Sequence, residues 1–320
     1  MNDCYDSPID RIREANIIKS AKMYKEFAES IKAGKDLLNA MCGATSFQPA
    51  FCIQKEKIGM LDCEILLSGI RTLNNIEYCC LHGCFSDANV LLRKYRDDLF
   101  LYLYIISVLA QRRAGFDSGQ NAIELDEMNE TKFVEFINSV FVFLQSDSGK
   151  SQDEKAVDAW FRNNVDGEYT RNIKFGNYLK IIRTDSDINQ CISQNDLESI
   201  FDRISRRLNN YTHNNGRRYL ENNLLSPKRP TSDDQCLSQM SADIHYITGA
   251  FFAFMILIKP SLIMADVHID YLDCGEEPPE GSQYWVAPFA QQYIDDYIVK
   301  LNPDLKAFLK YNNKYGMKIE

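Results

Sequence analysis

The chain contains few of the residues that interrupt helices. It has nine prolines and fifteen glycines among 320 residues, which suits long helices better than turn-rich β structure. It has no alternating polar and apolar segment long enough for a central strand, and no repeat at a fixed period. The sequence therefore predicts an all-α fold.

Several functional motifs are missing as well. There is no Walker loop, glycine-rich dinucleotide turn, His-Glu-x-x-His helix or nucleophile elbow, so we expect no cofactor. The two longest apolar runs, 99–110 and 247–258, have twelve residues each, whereas a spanning helix needs about 20; we expect no membrane association. The chain opens on the acidic, polar segment 1–6 instead of an export leader, which predicts a cytoplasmic protein with reduced cysteines.

The spacing of apolar residues predicts several long helices. We expect one helix over 8–41, starting at a Ser-Pro pair, a second over 56–82 and a third over 86–113. Gly83 separates the second from the third, so these two should form an antiparallel hairpin over 57–113. We therefore predict a helical bundle built around this hairpin, with the apolar helix 237–258 beside it.

We expect a single compact helical domain over 1–320. Apolar content of 45% and charged content of 25% are globular averages, which allow a full core. A fourth helix is predicted over 133–144. Near the end of the chain, helices over 288–316 should pack on the bundle, one starting at Pro288 and the last capped by Asn302 with Pro303 at its first position.

The most informative stretch is 203–218. It holds five arginines, one of the four histidines and no acid, in a chain of formal net charge −9. At about 100° per residue from the apolar stripe, Arg206 lies near 200°, Asn209 near 140° and His213 near 180°. Arg207 lies near 300°, on the flank. We therefore predict that Arg206, rather than Arg207, is the partner of His213.

Two interpretations fit this face of the helix. A cationic surface beside an imidazole is suited to phosphodiester chemistry. A face opposite the core is also normally solvated, and Arg217, Arg218 and His213 would complement the negative end of the helix dipole.

An arginine followed after four to six residues by a histidine, on a late helix of an all-α protein, resembles the HEPN superfamily. Arg206 and His213 are separated by six residues and Arg207 and His213 by five, and the basic segment 91–96 is similar to a helix of some divergent members. The resemblance implies a metal-independent endoribonuclease or RNA-binding protein of a toxin or defence type. It implies that His213 exchanges a proton with the ribose 2′-hydroxyl or the leaving group, and that Arg206 stabilises the phosphate.

The resemblance also implies a homodimer in which two such motifs meet, with RNA as the partner. Besides the catalytic pair, the side chains expected to contact phosphate or RNA are Arg203, Arg207, Asn209, Arg217 and Arg218. The family prefers Asn, Asp or His directly after the arginine, whereas Arg207 follows Arg206 and Leu208 follows Arg207. This departure bears on catalysis more than on the fold, since many members of the family are inactive binding scaffolds.

The alternative is a non-catalytic helical interaction module that binds an acidic partner or a small ligand. A sequence pI near 5.1 favours it, because extended nucleic-acid binders are usually basic. Two segments hold metal-ligand residue types, 79–84 with three cysteines and a histidine, and 266–273 with three aspartates and a histidine. Neither offers a complete set of ligands at suitable spacing, so we predict no metal site.

Overall fold

The computed structural model describes residues 7–43, 50–54, 57–61, 63–117, 150–165, 167–226, 228–265, 271, 274, 276, 286–313 and 317–320. Over these residues the fold is all-α, with one two-stranded β-hairpin beside the helices. The predicted fold class is confirmed. The helix predicted over 133–144 lies outside the described residues.

The chain begins with two helices, α1 (Pro8–Ser20) and α2 (Tyr24–Gly43). Ser7 and Asp10 form a capping box at the start of α1. The prediction of one helix over 8–41 is wrong, because Ala21 takes an extended conformation (φ −63°, ψ 143°) and ends α1. The break lets the backbone N–H of Met23 donate to the carboxylate of Asp234, at 3.0 Å.

A β-hairpin follows, formed by β1 (Ala50–Gln54) and β2 (Lys57–Leu61) in antiparallel register, with Ala50 opposite Leu61. The predicted helix over 56–82 therefore starts late, as α3 (Glu64–Leu81). Its first predicted turns belong to β2, where strand pairing satisfies the backbone instead of helical hydrogen bonds.

Helix α4 (Phe85–Asp117) has 33 residues, about 50 Å at 1.5 Å per residue. Gly83, at φ 73°, reverses the chain between α3 and α4. Its N–H donates to the carbonyl of Cys80 at 3.0 Å, and the N–H of Cys84 donates to that of Cys79 at 2.8 Å, which is a Schellman C-cap. The hydroxyl of Ser68 on α3 then lies 3.4 Å from the carboxylate of Asp98 on α4.

The second half of the chain contributes further helices, several of which pack against α4. They are α5 (Gln152–Phe161), α6 (Phe175–Ile182), α7 (Ser186–Gln194), α8 (Leu197–Thr212), α9 (Arg217–Glu221) and α10 (Asp233–Ile258). Two 3₁₀ turns, Gly167–Arg171 and Pro260–Ile263, connect or extend them.

The C-terminal elements contact α2 and α10. They are α11 (Pro288–Tyr293), a π turn (Ile294–Ile298), α12 (Val299–Leu301) and α13 (Pro303–Asn312). As predicted, Asn302 caps α13: its side-chain oxygen accepts the N–H of Asp304 at 2.9 Å, and Pro303 occupies the first helical position.

The centre of the core lies between α4 and α10. Phe100, Leu103, Phe251 and Phe254 have no solvent exposure, as their long apolar runs predicted. The ring centroid of Phe100 lies 5.1 Å from that of Phe175, 5.4 Å from that of Phe201 and 6.1 Å from that of Phe254. These edge-on contacts join α4 to α6, α8 and α10, and so fix α8 against the body of the protein.

Helix α10 is also the one helix among the described residues with the length and apolar composition of a membrane span. In the structure, 78% of its most apolar window is buried against other elements.

Candidate functional site

Helix α8 carries the predicted site. Its apolar stripe packs into the core through Leu197, Phe201, Ile204 and Leu208, which are all buried. The opposite side of the helix therefore faces solvent, and Arg206, Asn209 and His213 are all exposed there. The rotation of the helix, predicted from its apolar spacing, is confirmed.

The last turn of α8 fixes the position of His213. Asn214 adopts the left-handed conformation (φ 50°), which Asn tolerates better than most residues. Its N–H donates to the carbonyl of Tyr211 at 3.3 Å, and that of Asn215 donates to the carbonyl of Asn210 at 2.9 Å. The helix ends at Thr212, just before the Asn-Asn-Gly run 214–216, and His213 is its C-cap residue.

Further arginines lie along the helix and after its end. Arg203, Arg217 and Arg218 are exposed. The guanidinium of Arg217 bonds to the carboxylate of Glu221 at 2.5 Å while its side chain stays 89% exposed. Arg218 donates to the hydroxyl of Tyr219 at 2.7 Å. We call Arg203, Arg206, His213, Arg217 and Arg218 the arginine–histidine surface.

Arg207 lies elsewhere. Its guanidinium forms an ion pair with the carboxylate of Asp243 on α10 and donates to the side-chain oxygen of Asn89 on α4. The Asp243 side chain is 4% exposed and that of Arg207 is 22% exposed. Burial lowers the pKa of Arg207 to about 10, so the side chain stays cationic at neutral pH. The predicted phosphate ligand is thus held in an internal ion pair.

A hydrogen-bond network surrounds this pair. The amide of Gln239 donates to Asp243 at 3.0 Å, and the amide of Asn89 donates to the carbonyl of Phe85 at 2.7 Å. Tyr211 lies one turn after Arg207 on α8, and its hydroxyl accepts a hydrogen bond from the amide of Asn222 at 2.8 Å. Asn89, Asp243 and Gln239 were not predicted from the sequence, because nothing local distinguishes Asp243 from the other polar residues in the first half of α10.

A groove opens above the ion pair, between α8, the first half of α10 and the start of α4. It has a volume of about 580 Å³, and its walls include the side chains of Met23, Tyr211 and Cys236. Its uncharged polar lining consists of Asn89, Thr231, Gln235, Ser238 and Gln239.

The basic segment of α4 holds the scaffold together. Arg96, 2% exposed, donates to the hydroxyl of Ser205 on α8 at 2.9 Å and lies 3.9 Å from the centroid of the Phe175 ring. Burial lowers its pKa. The preceding Arg93 pairs with Asp97 at 3.6 Å, and Lys94 pairs with Asp98, both at i,i+4 spacing along α4. Arg96 thus holds α8 against α4, whereas Arg93 and Lys94 form ion pairs within α4.

The segment 79–84 belongs to a helix end. Its backbone forms the C-cap of α3, Cys80 is buried, and the His82 ring lies 4.4 Å from that of Tyr78. Within the part of the chain that the structure describes, no three His, Cys, Asp or Glu side chains lie close enough together to hold a metal ion. The acidic segment 266–273 lies outside that part, apart from Tyr271.

Along one chain, Arg206 and His213 are seven residues apart, about 10 Å along the helix axis. The two side chains thus present a cation and an acid–base group on one exposed face, two turns apart.

No family model, curated protein or solved structure matches the chain.

Proposed function

We propose that the arginine–histidine surface binds RNA and cleaves it without a metal ion, as the resemblance to HEPN proteins implies. One observation supports this most directly: Arg206, Asn209 and His213 are all exposed on one side of a helix whose other side is anchored in the core. Exposed guanidinium groups are well suited to phosphate oxygens, which they bind through paired N–H donors.

The spacing of the two groups calls for a second copy of the chain. A phosphate being cleaved must contact its acid–base group at about 3 Å, whereas Arg206 and His213 project from points about 10 Å apart along the axis. Two copies that meet on this face would place the arginine of one beside the histidine of the other. The exposed face of α8 in each copy would then line a cleft between the two copies.

The chemistry at such a cleft is transesterification. His213 takes the proton of a 2′-hydroxyl, whose oxygen attacks the adjacent phosphorus, and the bond to the 5′-oxygen breaks. The leaving 5′-oxygen then receives a proton from the imidazolium that His213 has become. Arg206 offsets the charge that develops on the phosphorane, and the products end in a 2′,3′-cyclic phosphate and a 5′-hydroxyl.

The test is incubation of the purified protein with mixed RNA in EDTA. A positioned acid–base group contributes about 10²–10⁴-fold, so we expect His213→Ala to reduce cleavage by at least 100-fold. Its free energy of unfolding should stay within about 0.5 kcal/mol of the wild type, because the side chain is exposed. Arg71→Ala, which removes an exposed arginine of α3, is the matched control and should leave cleavage unchanged. Equal cleavage by wild type and His213→Ala would exclude this site.

A mixing experiment tests the shared cleft. Arg206→Ala and His213→Ala should each be inactive alone. When the two are mixed, heterodimers regain one composite site that has both wild-type residues, so cleavage should return to a substantial fraction of the wild-type value. If each chain carried its own site, mixing would restore nothing.

A second candidate is a non-catalytic interaction module, and α1 favours it. Ile9 and Ile12 on this helix are 76% and 63% exposed, an arrangement typical of a surface that another protein covers. In that case the arginine–histidine surface contacts an acidic partner instead of RNA. This candidate predicts no RNA binding by the wild type at physiological salt, and no cleavage.

A further inference from the structure

We propose that the groove above the Arg207–Asp243 pair binds the planar base of an unpaired nucleotide. This proposal rests on the proposed function, because it names the part of an RNA strand that lies beside the arginine–histidine surface. The groove's volume of about 580 Å³ is within the usual range for small-ligand sites, about 300–1,000 Å³.

The charges around the groove favour an uncharged ligand. Arg207 and Asp234 are the two charged residues of its lining. The cation of Arg207 is neutralised from beneath by the buried Asp243, and Asp234 already accepts the N–H of Met23. With no uncompensated cation, the groove is a poor site for a phosphate group. A neutral ring with polar edges fits it better.

The lining suits the edges and the faces of a base. Gln235 and Gln239 each carry one acceptor and two donors on a planar amide, the arrangement that pairs with the edge of a base. Gln239 donates one of its N–H groups to Asp243. Gln235, one turn earlier on the same side of α10, is exposed. Tyr211 and Met23 supply aromatic and thioether walls, and unpaired bases of RNA stack on aromatic side chains.

The position of the groove connects it with the cationic surface. Arg203 precedes Arg207 by four residues, so it lies about 6 Å away along the same flank of α8. Arg203 is exposed, so it can hold the phosphate of a nucleotide whose base enters the groove.

Filling the groove provides the test. Ala242 lines the groove and is exposed on α10, so Ala242→Trp adds bulk there with little effect on the core. The matched control is Ser193→Trp, at an exposed position of α7. The probes are the four nucleoside 5′-monophosphates and ribose 5-phosphate, titrated by calorimetry or ligand-detected NMR, and a fluorescent single-stranded hexaribonucleotide beside a fully paired RNA duplex.

We expect at least one monophosphate to bind more tightly than ribose 5-phosphate. Ala242→Trp should weaken that binding at least tenfold, because the indole ring occupies the space in which the base would lie, and Ser193→Trp should not change it. The same variant should weaken binding of the hexamer but not of the duplex. Equal binding of ribose 5-phosphate and the monophosphates, or monophosphate binding that survives Ala242→Trp, would overturn the proposal.

The two proposals fail separately. Arg203→Ala combined with Arg206→Ala removes cations of the surface and leaves the groove walls in place. If RNA binds and depends on these arginines while no monophosphate binds, the proposed function stands and the base site is wrong. If a monophosphate binds in the groove but no RNA does, the base site stands and the proposed function is wrong.

Discussion

Replacing Arg207 tests whether adjacent arginines have opposite roles. Arg207→Met keeps an unbranched side chain but leaves the Asp243 carboxylate, 3% exposed, with the Gln239 amide as its remaining donor. Breaking a buried ion pair from one side typically costs about 3–5 kcal/mol. Because the Arg207 side chain is 22% exposed, we expect the lower end, about 3 kcal/mol. Arg206→Met, one residue earlier on the exposed face, should cost less than about 0.5 kcal/mol.

The assay is urea denaturation of both variants and of the double variant Arg207→Met/Asp243→Leu. Replacing both members of a buried pair with apolar residues is often neutral, so the double variant should be more stable than Arg207→Met alone. A loss below about 1 kcal/mol in Arg207→Met, or a double variant less stable than the single one, would refute the structural role of the pair.

The same variant should acquire a distinctive pH dependence. An unpaired buried carboxylate favours its protonated form, so folded Arg207→Met should hold a proton on Asp243 to higher pH than the unfolded chain does. Its free energy of unfolding should then fall as pH rises above about 4, where an unfolded Asp titrates, by at most about 1.4 kcal/mol per unit. The wild type, in which Arg207 compensates the charge, should lack this decrease.

Two further predictions concern the scaffold. Burial lowers the pKa of His245. The unfolded chain therefore binds an extra proton as pH falls below about 6.5, and the free energy of unfolding declines. His245→Phe, which keeps an aromatic ring against Tyr297, should reduce this decline between pH 7.0 and 5.5, measured by urea denaturation. Gly83→Ala should cost about 2 kcal/mol in the same assay, because φ is 73° and the new methyl group meets the buried carboxylate of Glu14. Gly43→Ala, which meets nothing within 4 Å, is its control and should be nearly neutral. An unchanged pH profile in the first case, or equal losses in the second, would contradict these assignments.

The sequence predicts the core and the rotation of the long helices well, because both follow from local periodicity. The apolar stripe of α8 places Arg206 and His213 on the solvent side, and the runs in α4 and α10 identify buried helices. Periodicity fails where a distant residue decides the local structure. The break between α1 and α2 contains no proline or glycine, and the N–H of Met23 after it bonds to Asp234, 211 residues away.

The same distinction explains what could be predicted of the site. Exposure of Arg206, Asn209 and His213 depends on one helix and its stripe. The position of Arg207 depends on Asn89, 118 residues away, and on Asp243. A helical wheel shows that Arg207 lies on the flank of α8, but it does not show which residues pack against that flank. The groove depends on how α4, α8 and α10 pack, which local patterns do not determine.

The net charge of −9 does not prevent the arginine–histidine surface from attracting a polyanion. At physiological ionic strength the screening length is about 8 Å, so a phosphate at this surface interacts mainly with charges within one or two helical turns. Arg203 and Arg206 lie within one turn of each other on α8, and the exposed Asp202 lies one turn before Arg206. Beyond the end of the helix, Glu221 is engaged by Arg217. A small set of local cations supports contact with a few phosphates and not with a long duplex. If the proposed function is correct, we therefore expect the RNA that binds here to be a short, unpaired segment, whose base would enter the neighbouring groove.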